Sequence, residues 1–429
     1  MKIKQRIIFC SLFLAIFSFD VDKSKAAGLE TDLTSTSALG NSYAGSATGS
    51  HDISDSFFNP AILSDVKSTT LILSASMLRL NIDADNSSGK TSSGSSVSDG
   101  GISDAGIDSV VPAFYFATPI NKEATFGFAV TSPYGLATKY DKAWAGRYQA
   151  IDSSITTVNF NPTISYKIDP KLSVGAGLQA QYMSTTLTNM VDYGSASASG
   201  VVGSDDRLAK MNGTDWGYGY NFGVNYKFND KTKFGIGYRS KIDHKLEGRS
   251  EVNGLQYGNF NSSLTTPESV DAGISYQINK DNELVADVLW SRWSRLKNLN
   301  IYSENSNLNK NVAFNWHDSF RYSLGYNFKA SEKLIIRSGA AYEKDAINNK
   351  NRSPSVPTGN RIWLSGGFGY KITNQATVDM SYMHQFYRKT QSDIAAVPAN
   401  VGISPGTPGL TTSYKTHIDT ISIGLKYEF

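Results

Sequence analysis

The stretch "WGYGYNFGVNYKF", residues 216–228, decides the fold. Its even positions are Trp216, Tyr218, Tyr220, Phe222, Val224, Tyr226 and Phe228, and its odd positions are Gly, Asn and Lys. A period of two sustained this long is β-strand, with one apolar face and one polar, glycine-rich face. "LSVGAGLQAQY" (172–182), "VDAGISYQI" (270–278), "FRYSLGYNF" (320–328) and "IWLSGGFGYKI" (362–372) repeat it. The apolar face of these strands carries no charge, whereas Lys227, Asp271, Arg321 and Lys371 fall on the other face.

Two architectures accept such strands. A soluble β-sandwich would bury the apolar faces in a core, but its strands usually run about five or six residues. Those here run about ten to fifteen, and their connections alternate in length. Short polar turns ("INKE", "IDPK", "FNDKT", "INKDN", "KASEK", "TNQA") take turns with much longer segments. Short turns on one side and long loops on the other mark a transmembrane barrel, whose apolar face meets lipid and whose polar face encloses a lumen. A Lys or Arg on the lipid face at mid-bilayer would cost roughly 2–4 kcal/mol, which explains the uncharged face. Tyr226, Phe228, Tyr326, Phe328 and Tyr370, near strand ends, are placed for an interfacial girdle.

Counting along the chain gives about fourteen strands, near 69–82, 110–118, 124–133, 154–168, 172–188, 215–228, 232–246, 267–279, 283–295, 316–329, 333–345, 361–373, 376–390 and 413–429. The even number returns the chain to the side it entered from. The expected fold is therefore all-β, an antiparallel barrel over residues 68–429. The first long loop, "DNSSGKTSSGSSVSDGG", is low-complexity and expected to be mobile.

The ends locate the protein. "MKIKQRIIFCSLFLAIFSF" places Lys2, Lys4 and Arg6 before an apolar run from Ile7 to Phe19, too short to span a bilayer and laid out as a secretory signal peptide. Ser24 and Ala26 suit a cut after Ala26, so residues 1–26 are expected to be removed. That removal takes away the only cysteine, Cys10, and with it any disulfide or thiolate site. It also takes five of the 41 basic and two of the 38 acidic residues. The balanced remainder argues against nucleic-acid binding. No G-x-S-x-G occurs, "SGKT" (88–91) has Ala84 where a phosphate-binding loop needs glycine, and the five His lack ligand spacing. No catalytic residue, metal or cofactor is expected. "WSRW" (290–293) reads as an interfacial aromatic pair.

One segment remains, residues 27–67, which lacks either periodicity and ends "SFFNPAIL". With "SPYGLATKYDKAWAG" (132–146), "MNGTDWGYGYNFG" (211–223), "TPESVDAGISY" (266–276), "SFRYSLGYNF" (319–328) and "NRIWLSGGFGY" (360–370), it resembles the FadL-type outer-membrane long-chain fatty-acid and hydrocarbon transporter family over essentially the whole mature chain. The resemblance implies a Gram-negative outer membrane and a hatch of residues 27–67 inside the barrel, with Ala27 and Gly28 at its start and Phe57, Phe58, Asn59, Pro60 and Ala61 at its end. Asp52 and Asp55 are then placed to pair with lumen-facing basic residues. It implies passive uptake of long-chain fatty acids or similar hydrophobic compounds. Ligand would pass from an extracellular groove to a pocket near the mature N-terminus and leave sideways at a kinked third strand. An uptake channel for aromatic hydrocarbons and a general diffusion porin are the alternatives.

Local chemistry supplies candidates for each step. Pro133-Tyr134-Gly135 would break the third strand, since proline lacks the N–H a ladder needs; the same residues also suit a strand ending at the membrane rim. Tyr134, Leu136, Tyr140, Trp144 and Tyr148 would line the capture groove, with Arg147 as carboxylate partner; the alternatives are a self-packed loop or Arg147 on surface lipopolysaccharide. Arg321, Arg337 and Arg361 fall on the luminal phase, where they would hold a carboxylate or pair with luminal acids such as Asp287 or with the hatch. The terminal Phe429 resembles the signal read by the outer-membrane assembly machinery. The barrel is expected to be a monomer set in outer-membrane lipid and lipopolysaccharide.

Overall fold

The computed structural model describes residues 30–99, 104–194, 200–304, 308–398 and 406–429. The leader, its cleavage bond, Ala27 and Gly28 lie outside the described residues. Among those described, fourteen strands follow one another round a closed antiparallel barrel. They are β1 (Thr70–Lys90), β2 (Ser109–Pro119), β3 (Ala124–Thr131, then Gly135–Lys139), β4 (Asp152–Lys167), β5 (Leu172–Asp192), β6 (Asp206–Lys227) and β7 (Thr232–Arg239, then Ile242–Val252). The circuit continues through β8 (Leu255–Thr266, then Ser269–Asn279), β9 (Asn282–Ser291, then Asn298–Ser303), β10 (Lys310–Ala313, then Ser319–Lys329), β11 (Leu334–Lys344) and β12 (Arg361–Lys371). It ends with β13 (Ala376–Tyr387, then Thr390–Ile394) and β14 (Gly409–Glu428). The barrel closes where β1 pairs with β14, from Thr70 opposite Glu428 to Lys90 opposite Gly409.

All fourteen expected strands occur in the expected order, and the face assignment holds. Tyr218 is 73% exposed and Leu178 68%, pointing away from the lumen, while Asn221 and Gln181 point in and are buried. Several strands outrun their expected ends. β6 begins at Asp206 rather than near 215, and β8 at Leu255 rather than 267. β1 runs on to Lys90, so most of the supposedly mobile loop start is ladder, and Ser96 and Val97 fold back to pair with it. These extensions lie beyond the apolar band, where both faces of a strand meet water or loops and period-two hydrophobicity no longer reports pairing.

Residues 30–67 fill the lumen. Thr36 Oγ1 meets Ser422 Oγ on β14 at 2.6 Å, Ser42 Oγ meets Ser365 Oγ on β12 at 2.8 Å, and the Asn41 side chain donates to Tyr326 O and Ser338 O on β10 and β11. Across the barrel, Asn59 Nδ2 donates to Val224 O on β6 and Ser165 Oγ on β4 donates to Ala61 O. A segment bonded to strands on every side of a closed wall lies inside it. The segment contains one short helix, Thr36–Leu39, capped by Ser35, and tight turns at Ile53–Phe57 and Pro60–Asp65 capped by Asp52 and Asn59. The glycine-rich inner face now has a reason. A Cβ on Gly235 would sit 1.8 Å from Ala47 O, and one on Gly237 the same distance from Phe58 O. Only glycine lets the luminal backbone approach the wall that closely.

Two expectations need correction here. Asp52 and Asp55 do not pair with strand cations: Asp52 accepts from Ser37 and Ser54, and Asp55 holds His51 at 3.0 Å. A folded coil meets its own capping needs before it reaches the wall. Trp293 is not interfacial either. β9 breaks at a short turn, Trp293–Arg295, which spoils the alternation and carries Trp293 inward to 6% exposure, while Trp290 donates to Asp318.

Candidate functional site

The site begins with a break in the wall. β3 pairs with β2 only up to Val130 opposite Phe114. Above that point β2 continues along β1 to Ser109, and β3 resumes at Gly135 along β4. Ser132 and Pro133 join neither ladder, so β2 and β3 part until Lys139 N reaches Ala105 O at 3.1 Å. Pro133 does interrupt the third strand, which then continues to Lys139 rather than ending at a rim. The carbonyls freed at the break are taken up from inside. Thr31 N donates to Pro133 O at 3.1 Å and Thr31 Oγ1 to Ser132 O at 2.9 Å, so the luminal segment completes the hydrogen bonding that the neighbouring strand does not.

Behind the break lies a narrow cavity. Phe57, Phe58, Pro133, Tyr134 and Leu289 form its apolar side; Glu30, Asp32, Arg239 and Asp271 form its polar side. A second, somewhat roomier cavity shares Glu30 and opens toward the long loops between Trp293, Trp316, Ile347 and Val356. It belongs to an apolar cluster that includes Leu136, Met183, Leu246, Phe314 and Trp316. Aromatic edges link the levels: Phe314 lies 4.9 Å from Trp316, Trp316 5.4 Å from Trp293, and Trp293 6.1 Å from Tyr134. Glu30 is the partition between the two spaces. Its carboxylate accepts from Ser291 Oγ and Trp293 Nε1, and burial, reinforced by Asp32 and Glu343, pushes its pKa up to about 8.

The three luminal arginines are committed to acids. Arg321 meets Asp32 of the luminal segment at 2.6 Å, Arg337 meets Asp379 at 2.6 Å, and Arg361 grips Glu343 through two nitrogens at 2.7 and 2.9 Å. Asp287 is not among their partners; it accepts from Ala47 N instead. Sequence reading missed Arg239 and Glu30. Arg239 stands on the inward phase of β7, so periodicity could have found it, whereas nothing local marks Glu30. No carboxylate within ion-pair distance of Arg239 occurs among the described residues. Its guanidinium donates to Phe57 O, Asn161 Oδ1 and Gln179 Oε1 and lies 4.0 Å over the Phe57 ring.

The six expected capture residues divide. Tyr134 lines the inner cavity and Leu136 the apolar cluster above it. Tyr140 and Trp144 stack at 4.0 Å, the first donating to Pro354 O and the second to Ala150 O. Arg147 is held by Asp206 at 2.7 Å and by Ser98 O, and Tyr148 donates to the same Asp206. These four build a buried cap bonded to neighbouring loops, the self-packed alternative, and Arg147 is not free to take a carboxylate. Of the expected end-of-segment residues, Phe57 and Phe58 face the cavity, while Asn59, Pro60 and Ala61 anchor the segment to the wall.

The profile of a family described as outer membrane protein transport protein (OMPP1/FadL/TodX) matches residues 20–429. Outer membrane protein P1 of Haemophilus influenzae is 26% identical over the full length of both chains. The long-chain fatty acid transport protein of Escherichia coli K12 is 26% identical, with 84% of this chain and 88% of that protein covered. Among solved structures, a Pseudomonas aeruginosa FadL homologue superposes with a TM-score of 0.83 at 22% identity, covering 94% of this chain and all of that one. The Ralstonia pickettii toluene transporter TbuX gives 0.64 at 18% identity, with 91% and 98% covered.

Proposed function

The chain belongs to the OMPP1/FadL/TodX family of outer membrane transport proteins, and from that premise we propose that it admits long-chain fatty acids or similar hydrophobic compounds, aromatic hydrocarbons included, by passive diffusion. Residues 27–67 act as its hatch. Ligand is taken up beneath the loop cap of Tyr140, Trp144, Arg147 and Tyr148 and descends the apolar cluster past Trp316 and Trp293. It reaches the inner cavity next to Glu30 once that end of the hatch shifts. It leaves through the break between β2 and β3 into the lipid, never crossing an aqueous pore. Phe429, at the end of β14, serves as the assembly signal of a monomeric barrel.

The observation that carries this reading is the juxtaposition of the cavity with the break. Pro133 lines the one and forms the other, and the luminal segment holds its carbonyl. An apolar solute has no use for a water-filled lumen, and a filled lumen suits one that exits sideways. The test is uptake of labelled oleate and toluene by cells with and without the protein, together with conductance in planar bilayers. Uptake that depends on the protein, with little steady conductance, is expected. Large steady conductance would support a diffusion porin instead.

A further inference from the structure

Asp271 is a luminal carboxyl group left unpaired. It is 2% exposed, lines the inner cavity, and neither of its oxygens has a hydrogen-bond partner among the described residues. The other charged groups bordering the cavity are engaged. Asp32 holds Arg321, Glu30 accepts from Ser291 and Trp293, and Arg239 donates to three oxygens of its own surroundings. A buried acceptor without a donor is costly to leave unmet. Asp271 therefore offers the cavity two unmet oxygens, while Arg321, whose Nε also lacks a partner among the described residues, lies outside the cavity lining.

We propose that the inner cavity takes the polar end of a hydrophobic molecule bearing a neutral hydroxyl, an alcohol or phenol, which donates to Asp271, and that it disfavours an ionised carboxylate. This rests on the transporter reading above and narrows its substrate class. An ionised carboxylate would crowd the carboxyl groups of Glu30, Asp32 and Asp271, with Arg321 already held by Asp32. An ammonium would meet the guanidinium of Arg239 in the cavity lining. A hydroxyl meets neither penalty, and Phe57, Phe58 and Tyr134 supply the apolar walls its hydrocarbon part needs.

The test is calorimetric titration of the full barrel in lipid nanodiscs at pH 8 with 1-dodecanol, dodecanoate and dodecylammonium. Wild type is compared with Asp271→Leu and the near-isosteric Asp271→Asn; the ratio between proteins cancels partitioning into lipid. Heat-modifiable migration reports that each variant is folded. Dodecanol should bind wild type best and weaken about tenfold in Asp271→Leu, the worth of one buried hydrogen bond. Dodecanoate should hold or tighten in both variants. A dodecanol affinity unchanged by either substitution overturns the inference, as does a wild type that prefers dodecanoate or dodecylammonium. If all three bind and Asp271 affects none, only this inference falls. If none binds, the transporter reading falls with it.

Discussion

The backbone amide of Thr31 donates to the carbonyl of Pro133 across 3.1 Å, joining the start of the described luminal segment to the place where β3 leaves its ladder with β2. The Pro133 ring removes a donor and frees the neighbouring carbonyls, and the segment takes them up. Whatever moves Thr31 also opens the inner side of the break. Gating and lateral exit then become one event, with Glu30 and Asp32 flanking the same hydrogen bond.

Replacing Pro133 with valine restores an N–H and a residue suited to a strand. The ladder between β2 and β3 can then extend beyond Val130. Uptake of a labelled hydrophobic probe should fall several-fold while the barrel remains folded by heat-modifiable migration. Unchanged uptake would remove the side exit.

The mature chain is expected to lack cysteine, so cross-linking has a clean background. Ser42 and Ser365 have hydroxyl oxygens 2.8 Å apart, one on the luminal segment and one on β12. Cysteines at both positions fall within reach of a disulfide. In the oxidised Ser42→Cys/Ser365→Cys protein, uptake should drop to background, and reductant should restore it. Transport that continues through the cross-link would show that the middle of the segment need not move.

Seating Glu30 against Asp32 and Glu343 sets a pH dependence. Its ordinary value is 4.5, and in place it is pushed up to about 8, chiefly by burial. The seated form therefore holds its proton more tightly than the released form. Stability of the seat is full below about pH 4.5, is lost as pH rises, and is gone above about 8. Amide exchange at residues 30–35, corrected for intrinsic rate, should quicken between pH 5 and 8.5. Glu30→Gln should flatten that profile, and a slope unchanged in the variant would assign it to another group.

How far the sequence could be read depends on the range of the interactions involved. The strands that cross the apolar band were legible because lipid on one side and lumen on the other enforce alternation at every residue from Trp216 to Phe228. β8 above Thr266 was not, because its neighbours there are loops and the alternation fades. The inward phase of Arg321, Arg337 and Arg361 could be read from spacing, but not their partners. Asp32 lies 289 positions from Arg321, and only closure of the barrel brings them together. Trp293 was misplaced because a turn of three residues reverses a face. The capture residues look alike in sequence whether they meet ligand or one another, and Tyr140 on Trp144 is decided by packing.

The pair Arg321–Asp32 is the deepest electrostatic contact between segment and wall, and its removal should be felt in stability as well as gating. Arg321 is 3% exposed, 2.6 Å from Asp32, and lies over the rings of Tyr43 and Trp363 at 5.3 and 5.0 Å. Around it stand Asp271 and Glu343 as well. Arg321→Met keeps the length of the side chain but leaves a set of buried acids without their cation, a change that costs about 3–5 kcal/mol when one partner of a buried pair is lost. Urea unfolding in detergent or lipid should show that loss. Adding Asp32→Asn should recover most of it, because the remaining penalty came from the stranded carboxylate. If the double variant is no more stable than Arg321→Met alone, the arginine stabilises chiefly by packing on Tyr43 and Trp363, and the charge pair does not hold the segment in place.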